Sequence, residues 1–158
     1  MLATQIKTKL TTVRRILITF VIFLILSGIT AFPVRTEIHF LVSIKDYFPP
    51  LIQNWIEQLN QSIKITPDIM LYGTDWLAFA HIVIAIAFIG PIKDPVKNSW
   101  VIQFGMIACL MVLPLAFICG PLRGIPLFHQ LIDCSFGIIG FIPLYYCYKK
   151  IKSLENNQ

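Results

Sequence analysis

Four long apolar stretches, at 16–34, 71–92, 100–121 and 129–148, fill more than half of this 158-residue chain. A helix rises about 1.5 Å per residue, so about 20 apolar residues cross the hydrocarbon layer of a bilayer, and each stretch meets that length. In hydrocarbon every backbone N–H and C=O must be satisfied within the segment, which makes helices the form such runs take. With 56% apolar and 13% charged residues and a mean hydropathy of +0.74, the solvent that suits the chain is a bilayer. The expected fold is an all-α membrane protein: four transmembrane helices in an antiparallel bundle, with an extracytoplasmic amphipathic helix between helices 1 and 2.

The charges orient these spans. Lys7, Lys9, Arg14, Arg15, Lys93, Lys97, Lys149, Lys150 and Lys152 are nine of the thirteen Lys and Arg, and all fall on one side; Arg35, Lys45, Lys64 and Arg123 fall on the other. Positive residues mark the cytoplasmic face. The expected topology is a cytoplasmic basic tail at 1–15, an extracytoplasmic loop at 35–70, a cytoplasmic turn at 93–99, an outer turn at 122–128 and a cytoplasmic tail at 149–158. A multi-pass place in a cell membrane, the bacterial inner membrane, follows from this pattern. The net charge of +5 is then a topological signal, and no nucleic-acid partner is expected. The first stretch also has the form of a secretory signal, with small residues up to Ala31, but its apolar run is long and Ile29 is bulky for a cleavage site, so retention is expected.

The loop at 35–70 is patterned. Pro49 and Pro50 suit a first helical turn, and Leu51, Ile52, Trp55, Ile56, Leu59 and Ile63 then recur at helical spacing opposite Gln53, Asn54, Glu57, Gln58, Gln61 and Lys64. An amphipathic helix is expected at about 50–65, lying on the outer interface or capping the bundle. Upstream, Ile38, Phe40, Val42 and Ile44 alternate with polar residues, which fits a short strand or interfacial chain. Asn60-Gln61-Ser62 matches a glycosylation acceptor, a frequent chance triplet.

Small residues recur on one face of the later spans, with the polar His81 and Asp133 among them: Thr74, Ala78, His81 and Ala85; Gly105, Ala108, Ala116 and Cys119; Asp133, Gly137 and Gly140. Lipid offers no hydrophobic drive between helices, so such stripes mark where backbones approach. Pro114 is an expected kink, and Gly90-Pro91 an expected helix end.

Ionisable residues in such segments are costly unless paired, from about 2.5 kcal/mol upward at the bilayer centre. Asp75, His81 and Asp133 are therefore the candidate catalytic residues, with Arg123, His129 and Thr74 as candidate ligand-binding neighbours. Asp75, Asp133, Arg123 and His129 fall near the outer end, where an Arg123 fork to Asp133 or Asp75 would neutralise a carboxylate. His81 lies six residues beyond Asp75, about 9 Å deeper. Its depth differs from that of His129, which speaks against a shared haem; no cofactor and no metal are expected. Cys109, Cys119, Cys134 and Cys147 form no Cys-x-x-Cys motif, and a Cys119–Cys134 bridge is left open.

No phosphate-cradling loop, His-Glu-x-x-His or nucleophile elbow occurs. The order Asp75, His81, Arg123, Asp133, Gly137, Gly140 resembles, over about half the chain, small VanZ-type membrane proteins. The spacings differ, and Pro114 and Phe117 stand where the resemblance implies acidic and Gln residues. The leading expectation is an integral membrane accessory or structural subunit rather than an enzyme, with the lipid bilayer, another membrane protein or a second copy as partner. The alternatives are an enzyme or ligand-binding protein with an outward-facing site at Asp75, His81, Arg123 and Asp133, and an oligomeric transporter or proton pathway.

Overall fold

The computed structural model describes residues 2–155, with side chains from Lys7 onward; Met1 and residues 156–158, the extremes of the two basic tails, lie outside the described residues. Every regular element among the described residues is helical. In order they are α1 (Leu2–Thr30), α2 (Val34–Ser43), a single 3-10 turn (Lys45–Tyr47), α3 (Pro50–Ile65), α4 (Asp68–Ala87), α5 (Ile89–Lys93), α6 (Ser99–Pro114), a wide π-type turn (Leu115–Cys119), α7 (Gly120–Leu122) and α8 (Leu127–Glu155). Four helical segments are long and apolar enough to cross a membrane: Lys7–Thr30, Asp68–Lys93, Ser99–Leu122 and Leu127–Glu155. Only 17–22% of the residues in their most apolar windows are buried by the protein itself. Ile22, Phe23, Leu26, Trp76, Phe79, Ile107, Met111, Phe136, Ile139 and Ile142 are among the large apolar side chains left outside. Such a surface suits hydrocarbon rather than water, and the chain is a multi-pass membrane protein.

The chain packs as two units, one formed by residues up to Phe23 together with those from Ala85 on, the other by Leu24–Ile84. In the first, Phe88 is fully buried with its ring 5.0 Å from that of Phe20, and Val13, Leu17, Val101, Ile102, Leu144, Cys147 and Ile151 are buried in the same unit. Helices α6 and α8 close on one another through glycine. A Cβ on Gly105 would stand 2.6 Å from the Phe88 ring and 2.9 Å from Leu144; one on Gly137 would stand 2.5 Å from the Cys109 carbonyl oxygen. The contacts run in opposite directions along the two helices, Gly105 with Leu144, Cys109 with Gly137 and Gly140, Gly120 with Gln130. Helix α1 meets α8 the same way, Phe20 against Gly140 and the Val13 carbonyl accepting from the Cys147 thiol at 3.8 Å. All four cysteines are free, so Cys119 and Cys134 are not bridged.

Proline sets the breaks. Pro114 has no N–H to give the preceding turn, and the helix widens into the π-type turn after it. Pro91 lies within the first turns of α5, where its missing N–H is tolerated, so Gly90-Pro91 interrupts the helix after Ala87 without ending it and the helical path continues to Lys93. The turn after α5 is closed by Asn98, whose side-chain amide donates to the carbonyls of Gly90 and Asp94 at 3.2 and 3.0 Å. Between α7 and α8, Gly124 adopts φ +69°, and Gly124 and Ile125 donate to the carbonyls of Pro121 and Gly120, a Schellman-type helix stop.

In the second unit, α2 packs on α3. The alternating segment expected as a strand or interfacial chain is helical instead, because Val34, Ile38, Leu41 and Val42 also form a helical stripe and Ile38 is buried on α3 while Phe40 faces out. Helix α3 spans the expected amphipathic segment. Its packed face is centred on Ile56, Asn60 and Ile63, with Leu51 exposed. Asn60, the glycosylation-like asparagine, is buried, and its amide donates to Glu57.

Candidate functional site

The six residues singled out by chemistry divide between the two units. In the unit of Leu24–Ile84, Thr74, Ala78 and His81 share a face of α4, and Ala78 is fully buried. Gly28 of α1 is what lets that face approach: a Cβ there would stand 2.8 Å from the Ala78 carbonyl oxygen and 2.9 Å from the His81 Cβ. The Thr74 hydroxyl donates to the Leu71 carbonyl at 2.6 Å, and His81 Nδ1 lies 2.8 Å from the Leu77 carbonyl oxygen. A carbonyl can only accept, so this contact puts a proton on Nδ1, the tautomer in which Nε2 is the acceptor. Asp75 is half-buried, and within its own unit no described group hydrogen-bonds to its carboxylate. Six residues turn a helix through about 600°, so Asp75 and His81 project from different faces of α4.

In the other unit, Asp133 lies one turn beyond His129 on α8. The Oδ1 to Nε2 separation is 3.9 Å with side chains 46% and 39% exposed, a weak pairing longer than a hydrogen bond. The His129 ring stands edge-on to Phe128 at 6.5 Å. Arg123 closes α7 and is exposed. The Arg123–Asp133 fork expected from sequence is not formed among the described residues; His129 has that place, because the helical stop at Gly124 fixes Arg123 by its backbone, which donates to the Cys119 and Gly120 carbonyls at 3.1 Å. No group of three metal-ligating side chains is gathered among the described residues.

Comparison of the chain with protein-family models, curated proteins and solved structures finds no match.

Two polar arrangements escaped the sequence reading. Arg35 of α2 donates to the carbonyls of Ile63 and Thr66 at 3.1 and 3.2 Å and to Asp68 at 2.9 Å. It thus neutralises the C-terminal end of α3 and grips the first residue of α4. Lys45 pairs with Glu57 at 3.3 Å, and Gln53 donates to the Phe48 carbonyl at 2.8 Å. That lysine's hydrogen bond, followed by the Asn60 amide, holds the Glu57 carboxyl below its ordinary value. The available signal for Arg35 was an arginine in the segment between the first two spans, with an acid, Asp68, at the start of the second. The second arrangement is Gln130, which is buried on α8, donates to the Ile125 carbonyl at 2.7 Å and lies over Gly120. Its signal was an uncharged amide at the start of an apolar run, five residues after a Gly-Ile turn.

Proposed function

We propose that the chain is an integral membrane accessory or structural subunit that binds a partner membrane protein or lipid through its helices. The observation that carries this reading is the state of its intramembrane polar groups. The Thr74 hydroxyl and His81 Nδ1 are bonded to carbonyls of their own helix, Asp133 pairs weakly with the histidine one turn back, and among the described residues of their own units Asp75 and Arg123 have no side-chain hydrogen bond. An apolar span bearing a half-exposed carboxylate is stabilised by a donor from outside, which a second membrane protein or a headgroup supplies. The same reading has four antiparallel spans, both termini in the cytoplasm of a bacterial cell and α3 on the outer face, supported by the Lys and Arg bias between loops.

A second reading, a ligand-binding protein or enzyme with an outward-facing site, is favoured by one feature: Nε2 of His81 is the acceptor in the tautomer that the Leu77 bond sets. The two readings separate on the Asp75→Asn and His81→Ala single variants expressed from the native locus. The subunit reading expects Asp75→Asn to lower abundance or assembly while His81→Ala is tolerated. The site reading expects both variants to be abundant and inactive, and normal function of the well-expressed double variant rules it out.

A further inference from the structure

We infer that the end of the molecule where α1 begins and α8 finishes binds the headgroups of anionic phospholipids, through a ring of lysines and arginines seated on tyrosine. This rests on the membrane-spanning part of the reading above and not on the identity of any partner protein. Three lysines of α8 each stand over the tyrosine four residues earlier: Lys149 over Tyr145 at 5.6 Å, Lys150 over Tyr146 at 5.3 Å and Lys152 over Tyr148 at 5.9 Å. The three tyrosines fall within about one turn of α8 and the three lysines within the next turn out. That is the order of a membrane interface, aromatic rings at the glycerol level and lysine at the phosphates. Cation–π contact holds each amine near its ring and points it along the helix axis.

Helix α1 brings its own charges to the same level. Val13 lies against Cys147, with Leu17 and Ile151 buried beside them, so Lys7, Lys9, Arg14 and Arg15 flank the last turns of α8. Arg14 also donates to the Lys93 carbonyl at 2.8 Å, which ties in α5 and the neighbouring Lys93 and Lys97. The described acidic groups at this end are few and engaged: Glu155 pairs with Lys152 at 2.6 Å, and Asp94 accepts from the Lys97 backbone at 3.1 Å. Lys149 is exposed and Lys150 partly exposed, and neither has a carboxylate opposing it among the described residues. A zwitterionic headgroup would place its own cation there, whereas an anionic one neutralises the ring. Each such residue at a charged membrane surface contributes about fivefold in affinity.

The test uses the full chain reconstituted in phosphatidylcholine bilayers with a minor share of phosphatidylglycerol, re-extracted in mild detergent, with retained lipid counted by native mass spectrometry. Phosphatidylglycerol should be retained in excess over its bilayer share. Lys149→Gln and Lys150→Gln should each lower that excess about fivefold, with helix content by circular dichroism unchanged. Tyr145→Leu with Tyr146→Leu, which keeps every charge, should also lower it, and Lys64→Gln should leave it unaltered. Retention in proportion to the bilayer, loss with Lys64→Gln equal to that with Lys149→Gln, or displacement by excess inorganic phosphate would each overturn the assignment. Failure to insert, seen by vesicle flotation, would instead count against the membrane-spanning reading itself.

Discussion

The α2–α3 pair and the α6–α8 pair are held together by opposite means. Between α2 and α3 and onward to α4, long charged side chains do the joining: Arg35 serves three acceptors and Lys45 pairs with Glu57. Between α6 and α8 no charged pair takes part among the described residues, and glycines allow close approach, Gly105 to the Leu144 side chain and Gly137 to the Cys109 backbone. Of these helices only α6 and α8 belong to segments long and apolar enough to cross a membrane. Where water reaches, charged groups are cheap to carry and hydrogen bonds from arginine select a geometry. Where lipid surrounds the helices, transfer from solvent contributes nothing between them, and close packing of small residues remains.

Substitution at the glycine contact should have the largest effect. A Cβ at Gly137 meets a backbone oxygen that cannot rotate away, so Gly137→Val should destabilise by about 2–3 kcal/mol or rearrange the pair. Thermal unfolding in detergent, followed by circular dichroism, measures this. Gly73→Ala, where nothing lies within 4 Å of the added Cβ, should be neutral or stabilising in the same assay. Equal losses at the two glycines would contradict a packing role for Gly137.

Arg35→Ala comes next. It leaves the carbonyls of Ile63 and Thr66 without their donor, at a cost of about 1–2 kcal/mol once its partial exposure is allowed for. Faster proteolysis at the Thr66-Pro67 junction is the readout, and Arg35→Lys should recover only part, since an ammonium cannot span all three acceptors. In the α6–α8 pair the matching polar change is Gln130→Leu, which keeps the volume but removes the donor to Ile125, for about 1 kcal/mol. Added salt should weaken the Arg35 region and leave the glycine contact unchanged.

The smallest effect is one of pH. The Glu57 carboxyl titrates below its ordinary value of 4.5, so its ionised form favours the folded state. That contribution is present above the unfolded value and is lost as pH falls through the folded one. Hydrogen exchange of the α3 amides should therefore rise on acidification below about pH 4.5, and Glu57→Gln should abolish the dependence.

Much of the fold was legible because hydrocarbon imposes length and apolarity on a span. The helix at 50–65 was equally plain, its two-sided pattern following the 3.6-residue period. The segment at 38–44 was not, since Ile38, Phe40, Val42 and Ile44 fit a period of two while Val34, Ile38, Leu41 and Val42 fit a helix, and only packing on α3 chose. The candidate site was legible as a set of residue types but not as a geometry. Asp75 and His81 were separated by about 9 Å in depth, and the same six residues also turn them onto different faces, while Arg123 was matched to Asp133 or Asp75 before the left-handed Gly124 fixed where that arginine starts. Arg35 was counted as an orienting charge because its three acceptors, two of them backbone carbonyls, come from segments 28 to 33 residues away.

The central claim is that Asp75, in an apolar helix, is completed by a partner from outside its own unit. Affinity purification of the native-level protein in mild detergent, with mass spectrometry of what accompanies it, tests this most directly when wild type and Asp75→Asn are run side by side. The expected result is a second membrane protein recovered in fixed ratio with the wild type and depleted at least tenfold with Asp75→Asn, the equivalent of about 1.4 kcal/mol. Recovery of the wild type alone, or equal recovery of the same companion with Asp75→Asn, would contradict it.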